Sequence, residues 1–478
     1  MARIIASIQR RWGADGGYRQ VLALAVPLIL STGSWSLQSF INRMFLAWHS
    51  PDSLAAAMPA GMLNFAIMSV FLNTAGYVSV FAAQHHGAGQ DGRVGRTMWQ
   101  AAGVAVIAGA LNLALIPLTP AFFRWVGHDA GVQANEVMLF RILCLGAFPA
   151  VMGSALSGML SGLGRTRAVM WVTLAGTGVN ILCDYLLIFG HWGCPALGIA
   201  GAGWSSVIAA AVQLAVFAAI AARPAFRARF RTADWRPDGK IFWSLIKYGL
   251  PNGVQNFIDM AGFAVFVLLV GRIGRNELAA TNLAFNINTL AFMPMIGIGI
   301  AVAVMVGQAL GRNDPARARY SVRSAFDLTF AYMAAVAALF FALPQLFLAP
   351  FRAQSDPASF AAIGAITAVL LRFVAIYTLF DAFNIIFSSA IKGAGDTKFV
   401  MYMIIALSLG VLIGPSFVAI TRLHASIYAC WAIASAYVAA LGVAFYLRYR
   451  GGQWQAMRVI ECPAPALVHR PESPPVEC

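Results

Sequence analysis

Apolar runs recur along almost the whole chain, each ended by a short cluster of glycine, proline or charge. Counted between those breaks, they give twelve segments at about 20–47, 54–84, 97–120, 135–161, 168–190, 199–222, 243–271, 277–308, 322–346, 360–391, 399–420 and 425–447. Each reaches the roughly 20 residues a helix needs to cross a bilayer. Several exceed it, which predicts tilt or kinks. The pattern therefore predicts an all-α integral membrane protein with twelve transmembrane helices.

The pattern also repeats. Displaced by 224 positions, Pro27 falls on Pro251, Leu54-Ala55-Ala56 on Leu278-Ala279-Ala280, Asn64 on Asn288, Gln84 on Gln308, Gly87 on Gly311 and Arg93 on Arg317. Further along the displacement is 231, pairing Arg141 with Arg372 and "SGLGRT" (161–166) with "KGAGDT" (392–397). Chance alignment of apolar helices matches Leu and Ala, but not Pro, Gln, Asn and Arg. Two pseudo-symmetric six-helix bundles of like topology follow, related by an axis along the membrane normal, since an even helix count per half makes the repeat parallel. The chain divides into a leader (1–19), an N-terminal lobe (20–222), a basic linker (223–240), a C-terminal lobe (241–448) and a polar, Pro-rich tail (449–478) expected to be disordered. Two such bundles around a cleft can rock between two open forms. The linker is then a hinge-side connector, or simply a charged loop that sets topology.

Composition agrees: 60% of the 478 residues are hydrophobic and 11% charged, with a mean hydropathy of +0.74. The net charge of +15 does not indicate nucleic acid, because the basic residues sit in short loops at helix ends. Arg3, Arg10, Arg11, Arg19, Arg93, Arg96, Arg165, Arg167, the linker, Arg312, Arg317, Arg319, Arg323, Lys392 and Lys398 fall on one side. The loops on the other side hold only Arg124, Arg272, Arg275, Arg352 and Arg422. This asymmetry places both termini in the cytoplasm and the basic loops beside anionic membrane lipid. The leader lacks a small-residue cleavage site, so it is expected to be retained. The six cysteines show no metal-ligand or disulfide spacing.

The chemistry lies in polar residues inside the spans. Asp259, in "FIDMAGFAVFVLLVG", and Asp381, in "YTLFDAFNII", fall near the middle of spans 7 and 10, and Asp184 nearer the outer end of span 5. A carboxylate in the hydrocarbon region costs roughly 2.5–3.5 kcal/mol on insertion scales. No basic partner is evident: Arg372 shares a helix with Asp381 but lies on its opposite side. Such an acid is either protonated or holding a cation, which suits a site that loads and unloads a proton or sodium ion. Asn282 and Asn286 lie one turn apart in span 8, and Asn180 one turn before Asp184. Their amides can complete an oxygen shell or hold helices together. Trp35, Phe65, Phe257, Phe263, Tyr377 and Phe380 are candidates to line a substrate cleft by stacking and cation–π attraction, or to pack.

These motifs together resemble the multidrug and toxic compound extrusion (MATE) family over roughly residues 18–448. They comprise Pro27, "LAAAMPA", "AAQHHGAG", "NILCDYLLIFG", "YGLPNGVQNFID", "LAATNLAFNINTLAFMPMIGIG", "VGQALG" and "LFDAFNIIFSSAIKGAGDTK". The resemblance implies an antiporter of a bacterial inner membrane, working as a monomer. It would export organic, often cationic and aromatic, compounds in exchange for Na+ or H+, with no other cofactor. It implies that Asp259 and Asp381 form the cation site, with Asn286 as the span 8 amide and Asn282 beside it. Asp184 and Asn180 would belong to a second site in the N-terminal lobe. There the chain departs from the pattern: "FINRMF" puts Asn42, followed by Arg43, where the family carries an acid in span 1. That shifts the expected coupling toward the C-terminal pair. A flippase for lipid-linked precursors is the alternative cargo. It would favour a basic central cleft and often extra helices. A membrane-embedded enzyme would need clustered His/Asp or Ser/His residues near one interface, or a sizeable extramembrane loop, and neither is seen in the sequence. A selective pore fits a pseudo-two-fold repeat poorly.

Overall fold

The computed structural model describes residues 11–352 and 357–460. Every regular element among them is helical. Helices long and apolar enough to cross a membrane are Tyr18–His49 (α1), Pro51–Gly87 (α2), Asp91–Val126 (α3), Thr166–Phe189 (α5), Ile199–Ala222 (α6), Gly239–Val270 (α7), Arg275–Gly311 (α8), Pro315–Ala342 (α9), Phe360–Ala394 (α10), Thr397–Thr421 (α11) and Ile427–Arg450 (α12). The pair Ala130–Leu145 and Ala147–Gly162, bent by 47°, supplies α4 as a twelfth span. Each predicted segment coincides with one of these to within about two turns. The reason is elementary: in lipid a helix satisfies every backbone group within itself.

The ends are set locally. Ser50 caps α2 by accepting from the Ser53 N–H at 3.2 Å, with Pro51 in the first turn. Asp238 caps α7 through the N–H groups of Lys240 and Ile241, at 3.0 and 3.2 Å. Asp314 does the same for α9, ahead of Pro315. Pro27 and Pro251, matched by the repeat, are buried inside α1 and α7, where each removes a ladder hydrogen bond.

The lobes meet through exchanged pairs: α1 packs on α8, and α7 packs on α2. At the end where α1 begins, the repeat becomes a reciprocal latch. The Gln84 side chain donates from Nε2 to the Gly393 carbonyl at 3.1 Å, and the Gln308 side chain donates to the Gly162 carbonyl at 2.8 Å. Gly87 packs so closely on Gln308 that an added Cβ would lie 2.1 Å from its carbonyl oxygen. At Gly311 the same atom would lie 2.2 Å from the Gln84 carbonyl oxygen. The Tyr77 hydroxyl adds a bond to the Lys392 carbonyl at 2.6 Å.

The described parts of the segments flanking the spans are folded, contrary to part of the sequence reading. The tail was expected to be disordered from 449, but a turn of 3-10 helix at Gln453–Ala456 buries Trp454 against Tyr449, with ring centroids 5.0 Å apart. The chain then reaches the latch, where the Val459 N–H donates to Gln84 Oε1 at 2.8 Å. Proline content after 462 misled the reading of the residues before it; residues 461–478 lie outside the described residues. The leader docks on α9 through Arg11–Asp327 at 2.6 Å and Asp15–Arg317 at 3.4 Å. The linker lies on the N-terminal lobe, with Phe226 and Phe230 buried and Asp234 paired with Arg96 at 2.8 Å. The Arg96 hydrogen bond holds the Asp234 carboxyl below the usual carboxylate range. Trp454→Ala is expected to remove about 3–5 kcal/mol of stability. A fall in the thermal unfolding midpoint, absent when the chain is instead ended after 461, checks this.

Candidate functional site

The C-terminal lobe folds Asp259 and Asp381 into its interior. Asp259, partly buried on α7, accepts a hydrogen bond from the Tyr437 hydroxyl of α12 at 3.1 Å. Asp381, on α10, is buried at 6% exposure, with Asn384 beside it on the same helix. The two carboxyls lie within electrostatic reach of each other. Among the described residues neither makes an ion pair. One expectation is corrected for Asp259 alone: Lys392, near the end of α10, is in electrostatic reach of it, though not within ion-pair distance. Its position beside "GAGD" reads as a loop charge in the sequence, whereas it lies inside the last turn of α10.

Among the described residues neither α8 amide side chain is hydrogen-bonded to this pair. Asn282 and Asn286 are exposed, and the Asn286 side chain donates back to the Asn282 carbonyl at 2.9 Å. Their one-turn spacing puts them on one helix face, as the Asn286–Asn282 bond shows. The oxygen donors that do converge are two carboxylates, a phenol and the Asn384 amide, a hard donor set that suits a sodium ion or a proton.

The aromatic candidates separate into two groups. Trp35 and Phe65 stack at 5.1 Å and, with Phe257, line a cavity of about 790 Å³ between the lobes. Phe263, Tyr377 and Phe380 do not line it. Phe263 packs edge-on against Phe285 and Tyr437 at 5.8 and 5.9 Å. Tyr377 lies against the fully buried Trp431 at 6.5 Å, and Phe380 against Phe383 at 6.5 Å. They form the wall of packing around Asp259 and Asp381, not the cleft. Spacing alone does not separate a ring facing its own bundle from one facing the gap.

The N-terminal lobe holds a second polar cluster. Asp184 on α5 is fully buried and accepts from the Asn42 side chain of α1 at 3.3 and 3.4 Å. Ser205 of α6 faces it too. One turn away, Asn180 is fully buried with neither amide atom partnered, and the Thr177 hydroxyl is likewise unpartnered. Asn42 thus reaches Asp184 as a neutral donor. Ser205 escaped the sequence reading because it sits in a run of small residues with no marking pattern, as did Tyr437 among the aromatics of α12.

The chain is 28% identical to "Multidrug resistance protein PmpM" of Pseudomonas aeruginosa over 395 residues, covering 80% of each chain. It is 30% identical to "Multidrug resistance protein NorM" of Burkholderia vietnamiensis over 382 residues, covering 79% of this chain and 82% of that one. A solved structure described as the outward-facing conformation of a multidrug resistance MATE family transporter of the MOP superfamily superposes with a TM-score of 0.83 at 18% identity, covering 92% of this chain and 96% of that one. The MatE family model matches residues 27–186 and 251–417, the two lobes in turn. The chain therefore belongs to the MatE family, as an all-helical, multi-pass protein of the bacterial inner membrane.

Proposed function

We propose that this protein is a secondary antiporter that exports small organic compounds through the cavity between its lobes, driven by a cation taken up at Asp259 and Asp381. Multidrug resistance is the property its relatives are named for, and export of the compounds is the reading that fits a multi-pass protein with a cavity between its lobes. The observation that carries the coupling is a buried Asp381 and a partly buried Asp259, mutually repelling and, among the described residues, without an ion pair. In low dielectric such a pair does not hold two negative charges unaided, so its neighbours favour occupation by a proton or by Na+. Discharge of that ion changes the charge between α7, α10 and α12, and α7 also lines the cavity.

The latch supplies the other half of an alternating mechanism. With both termini in the cytoplasm, the glutamine–carbonyl pairs close the cytoplasmic end while the cavity lies nearer the opposite end of α1. Rocking must break both bonds and the Gly87 and Gly311 contacts together, because the repeat makes them equivalent.

The test is export of an organic dye from vesicles holding the purified protein, with sodium and proton gradients imposed separately. Export driven by at least one gradient is expected; no response to either sinks the antiporter reading. The unpartnered Asn180 beside Asp184 favours a second reading, in which the N-terminal cluster binds the ion. Asp184→Asn is expected to retain gradient-driven export within about threefold, since Asn42 brings no charge to that site. A complete loss would move the coupling there.

A further inference from the structure

Arg43 carries the only formal charge among the residues that line the cavity of about 790 Å³; the others are apolar, amide or hydroxyl side chains and glycines. It is exposed, and among the described residues no carboxylate lies within ion-pair distance of it. Asp184 of α5 is met by the neighbouring Asn42 of α1, not by Arg43. Trp35, Gln38, Ser39, Asn42 and Arg43 recur at helical spacing, so one face of α1 looks into the cavity. The stacked Trp35–Phe65 pair lies two turns from Arg43 along that face, about 12 Å at 1.5 Å per residue. An arginine side chain bends back over part of that distance. The cavity therefore joins a flat aromatic shelf to a single unneutralised guanidinium. A cation lining a cleft without a partner is stabilised by an incoming anion, and a guanidinium meets a carboxylate or sulfonate with two parallel hydrogen bonds.

We propose that the cavity selects aromatic compounds bearing an acidic group, zwitterions included, with Arg43 pairing the acid while the ring system lies on Trp35 and Phe65. This rests on the reading that the cavity is the substrate path, and it gives that path a polarity opposite to the cationic cargo expected from the resemblance. Asp259 and Asp381 do not line the cavity, so they do not cancel the charge of Arg43 there.

The experiment is equilibrium dialysis of the full chain in neutral detergent against three probes that share one ring system: 2-naphthoate, 2-naphthamide and 2-naphthylmethylammonium. Wild type is expected to bind the carboxylate about tenfold to a hundredfold more tightly than the amide, the size of a charge-assisted pair. Arg43→Gln should erase that ratio while leaving naphthamide binding unchanged, which also shows that the variant is folded. Arg43→Lys should keep most of the preference. An unchanged ratio in Arg43→Gln overturns the proposal, as does a carboxylate bound no better than the amide. Loss of the preference on adding anionic phospholipid also overturns it, assigning Arg43 to a lipid headgroup. The assay needs no ion gradient, so it separates the two readings. Arg43-dependent binding without gradient-driven export in vesicles leaves this inference standing and removes the antiporter. Export of the ammonium probe with no Arg43-dependent anion binding does the reverse.

Discussion

Asp381→Asn is expected to yield a folded, monodisperse protein that has lost gradient-driven export by about 100-fold or more, the loss that follows from removing roughly 2.7 kcal/mol of coupling. Folding survives for a physical reason. Removing one partner of a buried ion pair strands the other charge at a penalty of several kcal/mol. Asp381 has no such partner among the described residues, and an amide of the same shape fits its place. Coupling does not survive, because an amide neither protonates in this range nor brings the negative charge a cation needs. The Tyr437–Asp259 bond is left intact, so the defect is confined to the second carboxyl. Export in vesicles under imposed gradients, with size-exclusion behaviour as the folding control, reads both halves. Ordinary gradient-driven export by the variant contradicts the assignment.

The second large effect is expected at the latch. Gly87→Leu or Gly311→Leu puts a side chain where even a Cβ falls 2.1 or 2.2 Å from a carbonyl oxygen of the other lobe. Neither neighbour can yield locally, since each is helix backbone, so the lobes must part at that end. Overpacking of this kind costs typically 1–3 kcal/mol, and one tenfold change in population follows from each 1.4 kcal/mol. The variants should populate the form open at the end where α1 begins. Spin labels at the exposed Arg167 and Arg312, on opposite lobes at that end, should show a longer distance in either variant than in wild type. A distance distribution identical to wild type removes the latch from the mechanism.

How much of this was legible beforehand follows from what sequence spacing encodes. Long apolar runs specify helices that cross a membrane because lipid offers the backbone no other partner. The displacement that matched Gln84 with Gln308 and Gly87 with Gly311 marked the latch before its contacts were known. It did not show that the matched residues touch across the lobes. Asp259, Asp381 and Asp184 stood out because an acid in an apolar run is improbable without a function. Neighbours on other helices did not: periodicity orders residues along one helix and says nothing of which helix lies opposite. Tyr437 and Ser205 were therefore missed, and Lys392 was read as a loop charge. Asn286 spends its amide on the Asn282 carbonyl, a local bond that spacing does not reveal. Phe263, Tyr377 and Phe380 resembled Trp35, Phe65 and Phe257 in every property except the direction they face. The fold of residues 449–460 was lost to composition, because the prolines after 462 outweighed the single Trp454 that anchors them.

The account turns on one linkage: the ion held at Asp259 and Asp381 and the organic substrate in the cavity must influence each other. Substrate affinity of the detergent-solubilised protein, titrated across pH and sodium concentration, measures it directly. The expected result is that affinity falls as the proton or Na+ occupies the pair, and that this dependence vanishes in Asp259→Asn and Asp381→Asn while binding itself remains. Affinity that ignores both ions, or an ion dependence that persists in the two variants, contradicts the account.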